Sequence, residues 1–243
     1  MSKLAGDHIQ VLVSGYELTG DSNSLSISDA RDQHDVTSFG DAVHNFINGQ
    51  RLINIDHMGY LNPDTARSHP ALKANSIEGV ISVLLGQNTA PVVGDPMYSL
   101  QSLQSEYKAS PEVNKVIPFS AKFGNKGNVG GWGAALAVPV TFTNSTNGSA
   151  VNNGAATSNG GAAFLHILTA AGSDTYTIKV QGSATGAFGG EQSDLATFTL
   201  DASALDSERV AIAGSIPQYT RWTATRTGSA GDTVKIAVNL VRF

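Results

Sequence analysis

Residues 35–51 read "DVTSFGDAVHNFINGQR", and large apolar side chains stand here among residues that form turns. Val36, Phe39, Phe46 and Ile47 follow neither the period of a helix nor the alternation of a strand. Loops lie in water and normally carry few large apolar side chains. We call this segment the arm. Its sequence does not show what these apolar side chains pack against.

The composition of the whole chain favours strands and a surface of low charge. The 243 residues are enough for one large or two ordinary domains. Charged residues make up only 14% of the chain, well below the usual quarter. The surface must therefore be rich in Ser, Thr, Asn, Gln and Gly, or be covered by other chains. The 26 glycines favour turns and strands over long helices.

Cysteine content and net charge exclude several classes of function. The chain has no cysteine, which excludes disulfides, thiolate metal sites and a cysteine nucleophile. Its net charge of −5 argues against tight binding of nucleic acid, which requires a basic surface. The start "MSKLAGDHIQ" lacks the apolar core of a signal peptide, and no apolar stretch is long enough to span a membrane as a helix. We expect a protein that is assembled in the cytosol.

Short alternating stretches on both sides of the polar segment 144–161 predict strands. Before it, strands are predicted at 8–13, 24–28, 51–61 and 131–143, and also in "PMYSLQSLQSEYKAS" and "KVIPFSAKF". After it come six regularly spaced strands, as in an antiparallel sandwich or jelly roll. We predict a mainly β protein with a β-sandwich or barrel at 1–143 and a jelly-roll-like β-sandwich at 162–243. Residues 144–161 are predicted to be an Asn-, Gly- and Ser-rich linker or an edge strand.

One helix is predicted at about 76–85. In "NSIEGVISVLLG", Ile77, Val80, Ile81, Leu84 and Leu85 recur at the spacing of one helix face. Asn75 and Glu78 resemble a capping box, and Gly86 is suited to a helix end. We expect this helix to pack on a sheet.

The sequence carries no catalytic motif, so we predict no enzyme, no catalytic residues, no cofactor and no metal site. Asp32, His34 and Asp35, like the pair Asp56–His57, lack metal-ligand spacing and favour polar loops. His166 lies inside an apolar stretch and is predicted to belong to the core or a sheet face.

Tyr219 and Trp222 in "QYTRWTATR" leave two interpretations open. They could form a glycan-stacking face, or Trp222 could be a core residue of an amphipathic strand.

Several longer segments resemble tail tube, or major tail, proteins of siphophages. The resemblance lies in "VLVSGYELTGDSNSLSIS" (11–28), the arm, "INIDHMGYLN" (53–62) and "GDPMYSLQSLQSEYKASPEVNKVIPFSAKF" (94–123). Residues 150–183 and 208–228 resemble a C-terminal sandwich found in such phage chains. Together these segments cover most of the chain.

The resemblance implies a structural virion protein that assembles in the host cytoplasm into stacked rings, usually of six subunits. The partners it implies are further copies of the chain, other tail proteins, and DNA that passes through the tube without sticking. In such a tube, Val36, Phe39, Phe46, Ile47 and Arg51 of the arm would pack against a neighbouring subunit or ring. Two alternatives stay open: a capsid decoration or other head protein, and a glycan-binding module displayed on the virion.

Overall fold

The computed structural model describes residues 6–74, 77–87 and 89–243 and confirms a mainly β fold with antiparallel sheets. The first eight strands are β1 Ile9–Val13, β2 Tyr16–Glu17, β3 Ser22–Asp35, β4 Phe46–Tyr60, β5 Glu78–Leu85, β6 Pro96–Ala109, β7 Pro118–Asn125 and β8 Gly131–Phe142. The others are β9 Thr146–Asn147, β10 Val151–Asn152, β11 Gly161–Thr169, β12 Thr175–Ser183, β13 Ser193–Thr197, β14 Asp206–Ile212, β15 Tyr219–Thr227 and β16 Val234–Arg242. A helix, α1, spans Ser68–Leu72, and single 3-10 turns span Gly6–His8 and Thr19–Asp21.

The larger sheet has eleven strands and curls back on itself. Its main path runs β14-β11-β16-β8-β6-β5-β1-β2. The other three strands form a branch, in which β7 pairs with β6, β4 pairs with β7, and β3 pairs with β4. At the closure the backbone N–H of Val80 in β5 donates to Ser207 Oγ in β14 at 2.8 Å. Five strands inside the curl contribute a small apolar cluster of Leu12, Leu84, Met97, Ala135 and Ala237.

Two larger cores lie on the outer sides of this curl. One packs β8, β11 and β16 against the five-stranded sheet of β9, β10, β12, β13 and β15. The other packs β1, β5 and β6 against β4, β7 and α1. Strand β5 is therefore covered on both faces, and β4 is anchored at its inner end by Ile53 and Ile55, which are buried.

The helix predicted at about 76–85 is wrong, because residues 78–85 form strand β5. Val80 and Leu84 pack in two small apolar clusters on one face of the strand, whereas Ile81 and Val83 pack in a larger core on the other. An almost continuous apolar run therefore fits a strand that is buried on both faces. Such a run also satisfies the spacing of a helix face, and burial on both sides decides between the two. Of the predicted capping pair, Asn75 lies outside the described residues, whereas Glu78 is the first residue of β5.

The polar segment 144–161 contains the two short strands β9 and β10, and both pair with β15. The large sheet crosses the domain boundaries that the sequence predicts, because β8 pairs along its length with β16. The predicted division into a β domain at 1–143 and a β-sandwich at 162–243 stays a prediction.

Candidate assembly surface

The arm is the outer part of a long β-hairpin formed by β3 and β4. The two strands pair antiparallel from Ser22–Gly59 at the base to Asp35–Phe46 at the outer end. The base belongs to the core, whereas every residue from 28 to 48 is exposed. The arm thus leaves the body of the protein and offers both faces to a partner.

The exposed apolar side chains of the arm find no core in their own chain. Phe39 is fully exposed, Val43 is 76% exposed, and Val36, Phe46 and Ile47 are about half exposed. Burial of one such side chain stabilises a complex by roughly 1.5–3 kcal/mol. A contiguous set of this kind is typical of an interaction surface. The sequence prediction included all of these residues except Val43, which stands four residues beyond Phe39.

The turn of the arm is held in shape by its own polar groups. Asp35 Oδ1 accepts a hydrogen bond from the Thr37 N–H at 2.9 Å and another from the Thr37 hydroxyl. Asp35 Oδ2 lies 3.0 Å from Nδ1 of His44, whose ring stacks on Phe46. The hydrogen bonds from Thr37 hold the pKa of Asp35 below its usual value. A turn that is already ordered loses less conformational entropy when it binds.

The root of the arm is clamped to the body by Asp29. Arg51 Nε donates to Asp29 Oδ1 at 2.6 Å, and Arg51 Nη2 donates to the other carboxylate oxygen. The Tyr98 hydroxyl donates to Asp29 Oδ2 at 3.3 Å. The hydrogen bond from Arg51 lowers the pKa of Asp29, while burial raises the pKa of Tyr98. Arg51, which was predicted to contact a neighbouring subunit, therefore has a partner within its own chain.

Trp222 faces the core rather than a sugar. It is 4% exposed, and its ring centroid lies 5.3 Å from that of Phe142. Tyr219, the other residue of the predicted glycan face, is only partly exposed, at the start of β15. The placement of Trp222 favours the core interpretation and gives no support to a stacking platform. The exposed tryptophan is Trp132, which is 50% exposed and packs edge-on against Tyr98.

The polar groups that the sequence singled out are distributed over the fold. Within residues 6–74, 77–87 and 89–243, no group of three or more His, Asp and Glu side chains is arranged to hold a metal ion. Asp35 is used by the turn of the arm, and His57 Nε2 lies 2.7 Å from Ser22 Oγ at the hairpin base. His166 is fully buried, which confirms the prediction of a core position. In the same described part of the chain, no helix is long and apolar enough to cross a membrane.

Comparisons with known proteins find similarity only among solved structures. No protein-family model and no curated protein matches the chain. A chain from the virion of a native gene transfer agent particle has 12% identity and a TM-score of 0.44, covering 54% of this chain and 98% of that one. A chain from the tail of an empty gene transfer agent particle with C6 symmetry has 14% identity and a TM-score of 0.43, with the same coverage.

A third similar structure covers nearly the whole chain. It is the Dit protein of phage SPP1, described as a hub of the adsorption apparatus in phages that infect Gram-positive bacteria, with 9% identity and a TM-score of 0.33. The match covers 96% of this chain and 99% of that one. The chain is thus similar, at low identity, to structural proteins of phage and gene transfer agent particles. All three TM-scores lie below 0.5, so no property of these proteins is transferred to this chain.

Proposed function

We propose that this chain is a structural protein that self-assembles, as stacked hexameric rings, into the tail tube of a phage-like particle. The observation that carries the proposal is the arm, which holds five exposed apolar side chains on a hairpin with an ordered turn. The sequence resemblance to tail tube proteins covers the arm and the strands that flank it. The proposal assigns no catalytic role to any residue.

The free edge of β3 supports assembly between copies. Among the described residues, β3 pairs only with β4, so one side of this 14-residue strand has no hydrogen-bonded neighbour. Exposed edges of this length favour pairing with another chain, and closure into a ring removes them. The edge of β3 and the apolar arm belong to the same hairpin, so one neighbour can cover both.

The outer face of this part of the sheet is suited to a channel wall. Along β3 it presents Ser26 and Ser28, which lie opposite Asp56 and Asn54 of β4. Its charged side chains include Asp56 and Glu106, which stand beside Lys122 on neighbouring strands. Lys122 and Glu106 form an ion pair at 3.1 Å. A face without excess positive charge would let DNA pass without the counterion release that drives tight binding.

Electron microscopy of a variant of the arm tests the proposal. Purified wild-type protein is examined by negative stain over a range of concentrations, and rings or tubes of regular diameter are expected. The triple variant F39S/F46S/I47S is expected to stay folded but to form no tubes, because these side chains are exposed in the single chain and lie outside its core. Circular dichroism checks the fold and size-exclusion chromatography the oligomeric state.

A matched control removes an apolar side chain of similar exposure elsewhere. Val92 is 55% exposed and lies outside the arm, so V92S is expected to assemble like the wild type. Normal assembly of the triple variant would contradict the proposal. Unfolding of the triple variant would place these residues in the core of the chain. A wild-type protein that forms only monomers or trimers would favour a capsid decoration protein instead.

A further inference from the structure

A second exposed apolar surface lies at the opposite end of β4 from the arm. Phe46, at one end of the strand, pairs with Asp35, while Tyr60, at the other end, pairs with Pro118. The 15 residues of β4 span about 50 Å at the usual rise of a strand. The turn of the arm and the loop 110–117 therefore lie at opposite ends of one long strand.

This end surface, which we call the far pole, consists of Met58, Tyr60, Lys108, Val113 and Val116. Val113 is 89% exposed and Val116 is 66% exposed, and both stand in the loop between β6 and β7. Beside them a groove is lined by Met58, Pro118, Phe119 and the Lys108 side chain, among others. The far pole thus combines exposed apolar side chains with a concave surface.

The charges of the two ends are opposite. The outer end of the hairpin, residues 35–46, contains Asp35 and Asp41 and neither Lys nor Arg. The groove at the far pole has no carboxylate in its described lining, and Lys108 is its only charged side chain. In the adjoining loop, Glu112 and Lys115 form an ion pair with each other at 2.5 Å, so they add no net charge. An acidic apolar turn and a basic apolar groove attract each other.

We propose that the arm of one copy docks its turn on the far pole of the next copy, so that the chains stack head to tail along β4. The inference rests on the proposed function and names the surface that receives the arm. A head-to-tail contact uses two different surfaces of one chain and so continues from copy to copy. It also gives the exposed valines of the loop 110–117 a partner, which their own chain does not supply.

Crosslinking between two single-cysteine variants tests this contact, because the chain has no cysteine of its own. Gly40 lies in the turn, and a Cβ added there meets no atom within 4 Å. A size-tagged G40C variant is mixed with untagged S110C, whose serine lines the groove at the far pole. After assembly, a short bismaleimide is expected to join the two variants into a dimer of mixed size.

The matched control places the second cysteine on another exposed apolar surface, near the root of the arm. Val129 lines a groove together with Arg51, so crosslinking to V129C reports docking of the turn in that groove. We expect the G40C–S110C product to exceed the G40C–V129C product at least tenfold. If tubes form and the two yields are equal, or the order is reversed, the far pole does not receive the arm.

A second variant separates failure of this inference from failure of the proposed function. The double variant V113S/V116S changes two exposed side chains, so its thermal unfolding is expected to match that of the wild type. It is expected to lose tubes while keeping smaller rings. Tubes of normal length would overturn the far pole contact and leave the tail tube proposal standing. Absence of any ring or tube from the wild type would overturn both.

Discussion

A buried polar network inside the curled sheet links four strands through single side chains. His166 Nε2 lies 2.8 Å from Ser82 Oγ, which lies 2.7 Å from Ser99 Oγ. Asn239 Nδ2 donates to Ser99 Oγ at 2.8 Å. All four side chains are fully buried, and these hydrogen bonds replace part of what the groups would form with water, while His166 Nδ1 and Asn239 Oδ1 have no hydrogen-bond partner among the described residues. Such a network favours one register of β5, β6, β11 and β16, because an apolar replacement at one position removes a hydrogen bond from the side chain next to it.

The sequence allowed only part of this residue-scale picture to be predicted. A histidine within an apolar strand predicts a core position, and His166 confirms it. Its partners come from residues 82, 99 and 239, and no local pattern brings such distant positions together. The sequence also left two positions possible for Trp222, in the core or on the surface. Alternation shows which residues share a face of a strand but not which face is covered.

Buried histidines are expected to make the stability of the monomer depend on pH. Burial lowers the pKa of His57 to about 4, although the nearby Asp21 carboxylate partly opposes this shift. The unfolded chain takes up a proton near pH 6.5, whereas the folded chain does not do so until about pH 4. Stability is therefore fully present above about pH 6.5 and falls as the pH decreases to about 4, by roughly 3 kcal/mol for this residue. Urea unfolding of an assembly-deficient monomer at several pH values measures the loss.

Two variants isolate the contribution of His57. H57N is expected to be less stable at pH 7 but to show a shallower decrease between pH 6.5 and pH 4, by up to about 1.4 kcal/mol per pH unit. H44N is the control, because the His44 side chain is 76% exposed in the arm. An unchanged slope in H57N would show that His57 is not buried in its neutral form.

At the scale of elements, strands were predictable where one face is polar and the other buried. β12 is one of the six strands predicted after residue 161, and most of its residues alternate between buried and less buried positions. β5 was mistaken for a helix because burial on both faces removes the alternation. The short helix α1 was missed, since "SHPAL" is too short for a periodic pattern and its first turn depends on a distant residue: the Ser68 N–H donates to Asp21 Oδ2 at 2.9 Å.

For the hairpin of β3 and β4, the sequence predicted strands near the base and an irregular segment, the arm, at the outer end. Its outer part lacks alternation because neither face has a core beneath it in the single chain. Under the proposed assembly, the apolar side chains of the arm serve contacts with a partner rather than local structure. This is the physical reason why the arm could be recognised as unusual before its conformation was known.

The outer hairpin is expected to exchange its amide hydrogens rapidly in the monomer and slowly after assembly. Its strands are exposed on both faces, so opening of the arm breaks few apolar contacts. The clamp at Asp29 limits this opening, and D29N is expected to increase the exchange of residues 30–50 while β11 is unaffected. Hydrogen exchange with mass spectrometry measures both segments in one experiment.

The control for this measurement is K115Q, which removes an exposed ion pair far from the arm. It is expected to leave the exchange of residues 30–50 unchanged. Slow exchange of the arm in the wild-type monomer would contradict the interpretation that a partner, rather than the chain itself, holds the arm.

In the whole molecule, the two halves of the sequence contribute strands to the same large sheet and side chains to the same apolar cluster. Strand β8 lies between β6 of the first half and β16 of the second. Leu136 and Ala137 of β8 pack in the same apolar cluster as Ile178 and Trp222. A change in composition at 144–161 suggested two domains, but composition reports the polarity of a segment and not the strands that pair across it.

A chain that ends at residue 143 is therefore expected not to fold alone. Its loss of β11 and β16 would expose one edge of β8 and leave Leu136 and Ala137 without cover. The fragment should aggregate or show no cooperative thermal transition by circular dichroism. Coexpression of fragments 1–143 and 144–243 is the control and should restore a cooperative transition, since the missing strands are then supplied by the second fragment. A monomeric 1–143 fragment with its own cooperative transition would instead establish the two-domain division. Assembly would then depend on the N-terminal part alone, because that part carries both the arm and the far pole.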